Sequence, residues 1–127
     1  MEKVITVGIK TRETGYRELN NSLDELGRLV NTAGGEVFST IIQARNKLDP
    51  AFLIGRGKAM EIMETANANR IRAVIFDEDL SPAQQRNLEE LTGLKIVDRT
   101  RLILDIFASR ARTSEAELQV EVAQMNY

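Results

Sequence analysis

The chain contains no cysteine and no histidine. The first absence excludes disulfides and thiolate catalysis; the second removes the commonest general base and zinc ligand. Acid–base chemistry here falls to carboxylates or lysines. Proline occurs only twice, at the turn positions Pro50 and Pro82, and the glycines are scattered, so no linker is evident. Aromatic residues are few, at 5% of the chain. Phe38, Phe52, Phe76 and Phe107, with Met60, Met63 and Met125, read as core or interface filler, and no interleaving of aromatics with cations offers a stacking platform for single strands. Seventeen Lys and Arg oppose 19 Asp and Glu, a net charge of -2, so only a local patch could bind RNA or phosphate. No apolar run approaches the roughly 18 residues of a membrane span, and the opening MEKVITVGIK alternates instead of forming a signal peptide. These absences point to a cytoplasmic protein with no membrane partner.

What is present is an alternation of strands and helices. A chain of 127 residues is one domain by length and buries roughly two-thirds of its unfolded surface. Residues 3–9 are β-branched and short, a first strand. Leu19, Leu23, Leu26 and Val30 recur at helical spacing until Gly34-Gly35. A second strand covers residues 36–43, a loop runs to Pro50, and a short extended piece is expected at 51–54. Gly55-Arg56-Gly57-Lys58 opens a helix carrying Ala59, Ile62, Met63 and Ala66 on one side. Residues 73–76 (AVIF) are too apolar for a sheet with one wet face. Ser81, Pro82 and Gln84 form a capping box with proline in the first turn, and the helix stops at Gly93. Residues 95–97 make the fourth strand. This pattern predicts an α/β fold, a four-stranded parallel sheet in the order 2-1-3-4 with helices on both faces.

From Asp98 the chain is expected to form two more helices. Asp98 caps the first, whose Leu102, Ile103, Leu104, Ile106 and Phe107 are dense enough to predict a buried helix. Ser114 and Glu117 spell a second capping box, and Leu118, Val122 and Met125 line one side of a final helix with no upstream element to cover it. The division is therefore an α/β subdomain over 1–112 and the start of a truncated helical subdomain over 113–127. The stripe implies a longer protein, and self-association through that helix is one way to bury it.

Three constellations carry candidate chemistry. Gly55, Arg56, Gly57 and Lys58 at a helix start read either as an anion site or as a plain glycine turn with two solvated cations. The phosphate-loop pattern fails, since Phe52 and Ala59 stand where it needs Gly and Ser or Thr, and the dinucleotide fingerprint fails at Met60. Asp77, Glu78 and Asp79 follow a strand at the carboxyl edge of the sheet, where they read as a metal or phosphoryl-acceptor cluster or, more simply, as acids before a helix N-terminus. A receiver domain would also need an acidic pair after the first strand, and Gly8-Ile9-Lys10 stands there. Arg99, Arg101, Arg110 and Arg112 read either as forks clamping an RNA backbone or as braces paired with Asp98, Asp105 or Glu115, with a division of labour among the four.

These residues are also where the chain resembles a known family, the N-terminal domain of the HflX ribosome-associated GTPases. The resemblance rests on residues 52–58 (FLIGRGK), 74–77 (VIFD), 80–88 (LSPAQQRNL), 97–100 (VDRT), 102–108 (LILDIFA), 110–113 (RART) and 118–124 (LQVEVAQ). It departs at Arg101, Ser109 and Ala116-Glu117, where many members carry a small residue, Gln and Gly-Lys. The resemblance implies an α/β subdomain, two long antiparallel helices and then a GTPase domain, which would hold GTP and Mg2+; no cofactor is expected in this chain. It implies as partners the large ribosomal subunit with its RNA and the protein's own GTPase domain, in ribosome splitting or rescue. The contacts expected on RNA are Arg56, Lys58, Arg99, Arg101, Arg110 and Arg112. Two rival expectations stand beside this one: a nucleotide such as ATP held by Gly55, Gly57, Lys58 and Asp77 with weak hydrolysis, or a purely structural module that orients the GTPase domain.

Overall fold

The computed structural model describes the backbone of residues 1–125 and the side chains of residues 1–112. Strands and helices alternate: β1 (Glu2–Lys10), α1 (Tyr16–Thr32), β2 (Gly35–Ala44), α2 (Arg56–Ala68), β3 (Ala73–Phe76), α3 (Pro82–Thr92), β4 (Lys95–Asp98) and α4 (Arg99–Met125). All neighbouring strands are parallel, in the expected order β2-β1-β3-β4. The central strands β1 and β3 are covered on both faces, which explains their unbroken apolar runs. One face, formed by Ile5, Val7, Ile9, Val74, Phe76 and Ile96, packs on Ala59, Ile62 and Ala66 of α2 and Leu88 of α3. The other, formed by Val4, Ala73, Ile75 and Val97, packs on Leu19, Leu23, Leu26 and Val30 of α1 and Leu102 of α4. The one polar side chain buried within β1, Thr6, shares a hydrogen bond of 2.8 Å with Thr40 of β2.

Helix boundaries follow local chemistry. The Ser81 hydroxyl accepts from the Gln84 amide at 3.1 Å and the Gln84 side chain accepts from the Ser81 amide at 2.9 Å, so the capping box is complete. Residues 51–54 are not extended. They form a turn, closed by a small bridge between Asp49 and Leu53, because the Asp49 carboxylate accepts from the amides of Ala51 (2.7 Å) and Phe52 (2.9 Å). Those two amides, Phe52 first, hold the Asp49 carboxyl below its ordinary range.

The C-terminal expectations need two corrections. Residues from Arg99 to Met125 form one helix, not two, so the junction expected at 112–113 falls inside α4. Nothing between Arg110 and Thr113 breaks a helix, and a Ser-x-x-Glu spacing is compatible with a helix interior when no turn precedes it. The side chains of Ser114 and Glu117, and the stripe of Leu118, Val122 and Met125, lie outside the described residues. Nor is α4 a core helix. Leu102 is buried and Ile103 and Ile106 half-buried, but Leu104 is 57% and Phe107 62% exposed. Packed beside α1 over the edge strand β4, α4 has only one face to bury. Among the described residues no helix is long and apolar enough to cross a membrane.

Candidate functional site

The first turn of α4 is fastened to the carboxyl edge of the sheet. Asp98, the last residue of β4, accepts from the Arg101 amide at 2.9 Å and from the Leu80 amide at 3.0 Å, so one carboxylate caps α4 and ties the loop after β3 to it. Arg99 donates to Asp77 Oδ1 through Nε (3.1 Å) and Nη2 (2.7 Å), to the Ser22 carbonyl (2.7 Å) and hydroxyl (3.0 Å), and to Glu25 Oε1 (3.2 Å). Ser22 in turn donates to the other Asp77 oxygen at 2.7 Å. With Arg99 20% and Asp77 9% exposed, this pair is largely removed from water. Thr100 completes the junction by donating to Asp79 at 2.7 Å.

This geometry reassigns the acidic stretch. Asp77 and Asp79 are spent on α4, and among the described residues no acids are grouped to hold a metal ion. Glu78 is left between them, and burial, reinforced by Asp77 and Asp79, pushes its carboxyl above the ordinary range.

The glycine turn lies elsewhere. Gly55 is the N-cap of α2, without a side-chain cap, and its amide donates to Gln43 Oε1 at 2.9 Å. Arg56 is exposed and has no partner among the described residues, whereas Lys58 pairs with Glu61 at 2.8 Å. α2 covers one face of the sheet, whereas Asp77 reaches Ser22 of α1 on the other; no contact joins Asp77 to Gly55, Gly57 or Lys58 among the described residues.

The four arginines do divide their labour. Arg99 is the internal brace and Arg101 pairs along the helix with Asp105 at 3.1 Å. Arg110 and Arg112 are exposed, with no partner among the described residues. Eleven residues beyond Arg99, about 16 Å at the helical rise, Arg110 has reached Thr32 and Ala33 at the end of α1, the opposite edge of the sheet. At that edge stand four further cations that no sequence motif marks: Lys3, Arg70, Arg72 and Lys95, all exposed. The signal was present, in that Arg70 and Arg72 flank the start of β3 while Lys3 and Lys95 open strands, but it became visible only when the strands were placed side by side.

The chain matches the sequence family described as GTP-binding GTPase N-terminal over residues 20–108. It is similar to the protein named GTPase HflX of Flavobacterium psychrophilum, 46% identical over 126 residues that make up 99% of this chain and 30% of that one. The Escherichia coli protein of the same name is 50% identical over 105 residues, 83% of this chain and 25% of its own. Among solved structures it is similar to a GTP-binding protein from Sulfolobus solfataricus in complex with GDP, at 26% identity and a TM-score of 0.62, over 85% of this chain and 30% of that one. A structure described as SsGBP and GDP complex is covered to 35% and covers 100% of this chain, with a TM-score of 0.67. The chain thus spans about a quarter to 30% of the length of the curated relatives it matches. It belongs to the family of N-terminal domains of HflX-type GTP-binding GTPases.

Proposed function

We propose that this domain is a ribosome-binding module: in the cytoplasm it contacts RNA phosphates of the large subunit for an HflX-type GTPase that splits or rescues ribosomes. GTP and Mg2+ are handled by a separate GTPase domain, and this chain does not hydrolyse GTP. The observation that carries the reading is the freedom of Arg110 and Arg112, exposed and unpaired among the described residues on a long helix of a domain of this family. Guanidinium forks in that state are suited to phosphate, and they read backbone rather than sequence. Arg56 is available in the same way; Lys58 and Arg101 would have to exchange a carboxylate for phosphate, and Arg99 serves the fold.

Co-sedimentation with purified large subunits across a salt series tests this. The chain pellets at low salt and is released as salt rises, and exchanging Arg110 and Arg112 for Glu lowers the salt slope by about two while circular dichroism is unchanged. Unchanged binding would remove both residues from the site.

A second role is favoured by the anchoring of α4. The first turn, held by Asp77, Asp79 and Asp98, leaves the domain as a rigid base that sets the direction of the helix leading toward the GTPase domain. Nothing comparable favours an ATP site, and calorimetric titration with ATP and Mg2+ to millimolar concentration is expected to give no heat.

A further inference from the structure

We propose that the amino-terminal edge of the sheet is the face that meets RNA, with Lys3, Arg70 and Arg72 forming a phosphate-binding patch. The inference rests on the ribosome-binding reading and names its contact surface. Ligands of parallel sheets usually sit at the carboxyl edge. In this molecule the charge argues for the opposite one. The carboxyl-edge connections carry the acids Glu13, Asp49, Asp77, Glu78 and Asp79 against the cations Arg12, Arg45 and Lys47, of which Arg45 is turned onto the Lys47 carbonyl at 2.6 Å. The amino-edge connections, residues 33–34, 69–72 and 93–94, contain no acid, and one of them contains two arginines. The acids nearest this edge are Glu2 and Glu36 in the strands, Glu89 and Glu90 in the last turn of α3, and Asp105 of α4, which pairs with Arg101; none of them is paired with Arg70, Arg72 or Lys95 among the described residues. Lys3 lies over the Phe38 ring at 5.8 Å, which leaves its ammonium open to an anion.

The fold brings these charges together. Val4 pairs with Ala73, so Lys3 and Arg72 stand at equivalent positions of neighbouring strands, about 4.8 Å apart at the backbone. Together with Met1, Glu2, Asn69 and Arg70 they line one open depression. Ala73 pairs with Lys95, which stands at the same edge but on the other face of the sheet, in a depression it shares with Glu2 and Asp105.

Arg70 supplies an independent argument. The three helices that end at this edge each close with a left-handed residue: Gly34 (φ +91°) after α1, Gly93 (φ +70°) after α3, and Arg70 (φ +57°) after α2. The closure after α2 is a full Schellman turn, with the Ile71 amide on the Ala66 carbonyl at 2.8 Å, the position where glycine carries no penalty. An arginine held in that conformation, with an exposed side chain that has no partner among the described residues, is better explained by its head group than by the turn.

The test compares charge reversals on the full chain: Arg70→Glu with Arg72→Glu at the amino edge, and Arg12→Glu with Arg17→Glu at the other, with equal change in net charge. The amino-edge pair is expected to weaken binding to large subunits at least about tenfold, and the control pair by less than about twofold. Arg70→Gly, which relieves the left-handed conformation, is expected to weaken binding while the thermal midpoint does not fall; a purely structural Arg70 would leave binding unchanged. Equal losses for the two reversed pairs would overturn the proposal. If the unmodified chain fails to bind subunits at low salt, the ribosome reading fails, and the same proteins titrated against a labelled RNA duplex decide the patch separately. Duplex binding lost only in the amino-edge variant upholds it. Absence of duplex binding, or binding to anionic vesicles alone, overturns it.

Discussion

Arg99 and Arg110 are the same residue type eleven positions apart on one helix, yet they do different work. Arg99 has Asp77, Ser22 and Glu25 around it, and Arg110 has solvent. Removing one partner of a largely desolvated pair leaves the other uncompensated, so Arg99→Ala is expected to lower stability by about 2–4 kcal/mol, read from the urea midpoint. A loss below about 0.5 kcal/mol would mean that the bridge behaves as an exposed surface pair. Glu78 makes a second prediction. Its carboxyl binds a proton more tightly in the folded than in the unfolded chain, so stability falls as pH rises above the ordinary value of 4.5. Glu78→Gln is expected to stabilise the protein at pH 7 relative to the unmodified chain and to lose that advantage near pH 4. The same difference at both pH values would remove charge as its cause. Residue types announced these candidates, but not their partners: Ser22, which completes the Arg99 network, carries no sequence signal.

Secondary elements were legible in proportion to how local their determinants are. The start of α3 was readable because Ser81, Pro82 and Gln84 satisfy one another within four residues. The course of α4 was not, for two physical reasons. A Ser-x-x-Glu spacing suits a helix interior as well as a start, and an apolar run says nothing about how many neighbours are available to cover it. Leu102→Ala is therefore expected to cost about 2–4 kcal/mol and Phe107→Ala less than about 0.5 kcal/mol in the same denaturation assay. Comparable losses would mean that Phe107 is packed in solution. The turn at 51–54 is not legible in the sequence for a related reason. The sequence shows Asp49 but not that its carboxylate, with the Gln84 amide on its carbonyl at 2.9 Å and Asn87 on the Ala51 carbonyl at 3.1 Å, holds the loop against α3.

For the whole molecule, a net charge of -2 conceals a sided distribution. Acids collect in the carboxyl-edge connections, and the amino edge presents Lys3, Arg70 and Arg72 in one depression, with Lys95 on the other face of the sheet. Binding to a polyanion should accordingly depend on salt despite the acidic total. Engagement of three to five phosphates corresponds to a slope of log affinity against log salt of about -3 to -5, measurable in the co-sedimentation series. A slope near zero would assign the contact to apolar surface such as Leu104 and Phe107 instead.

By itself the sequence determined the alternation of elements, the strand order and most helix ends. These depend on hydrophobic periodicity, on capping groups within a few residues, and on the handedness of β-α-β crossovers, all properties of short stretches of chain. Only the tertiary structure decided which cations are free. Whether Arg99 meets Asp77, or Lys3 stands beside Arg72, depends on residues 22 and 69 positions apart being brought to one edge of a sheet. Strand pairing and helix packing create that proximity, and no local pattern encodes it.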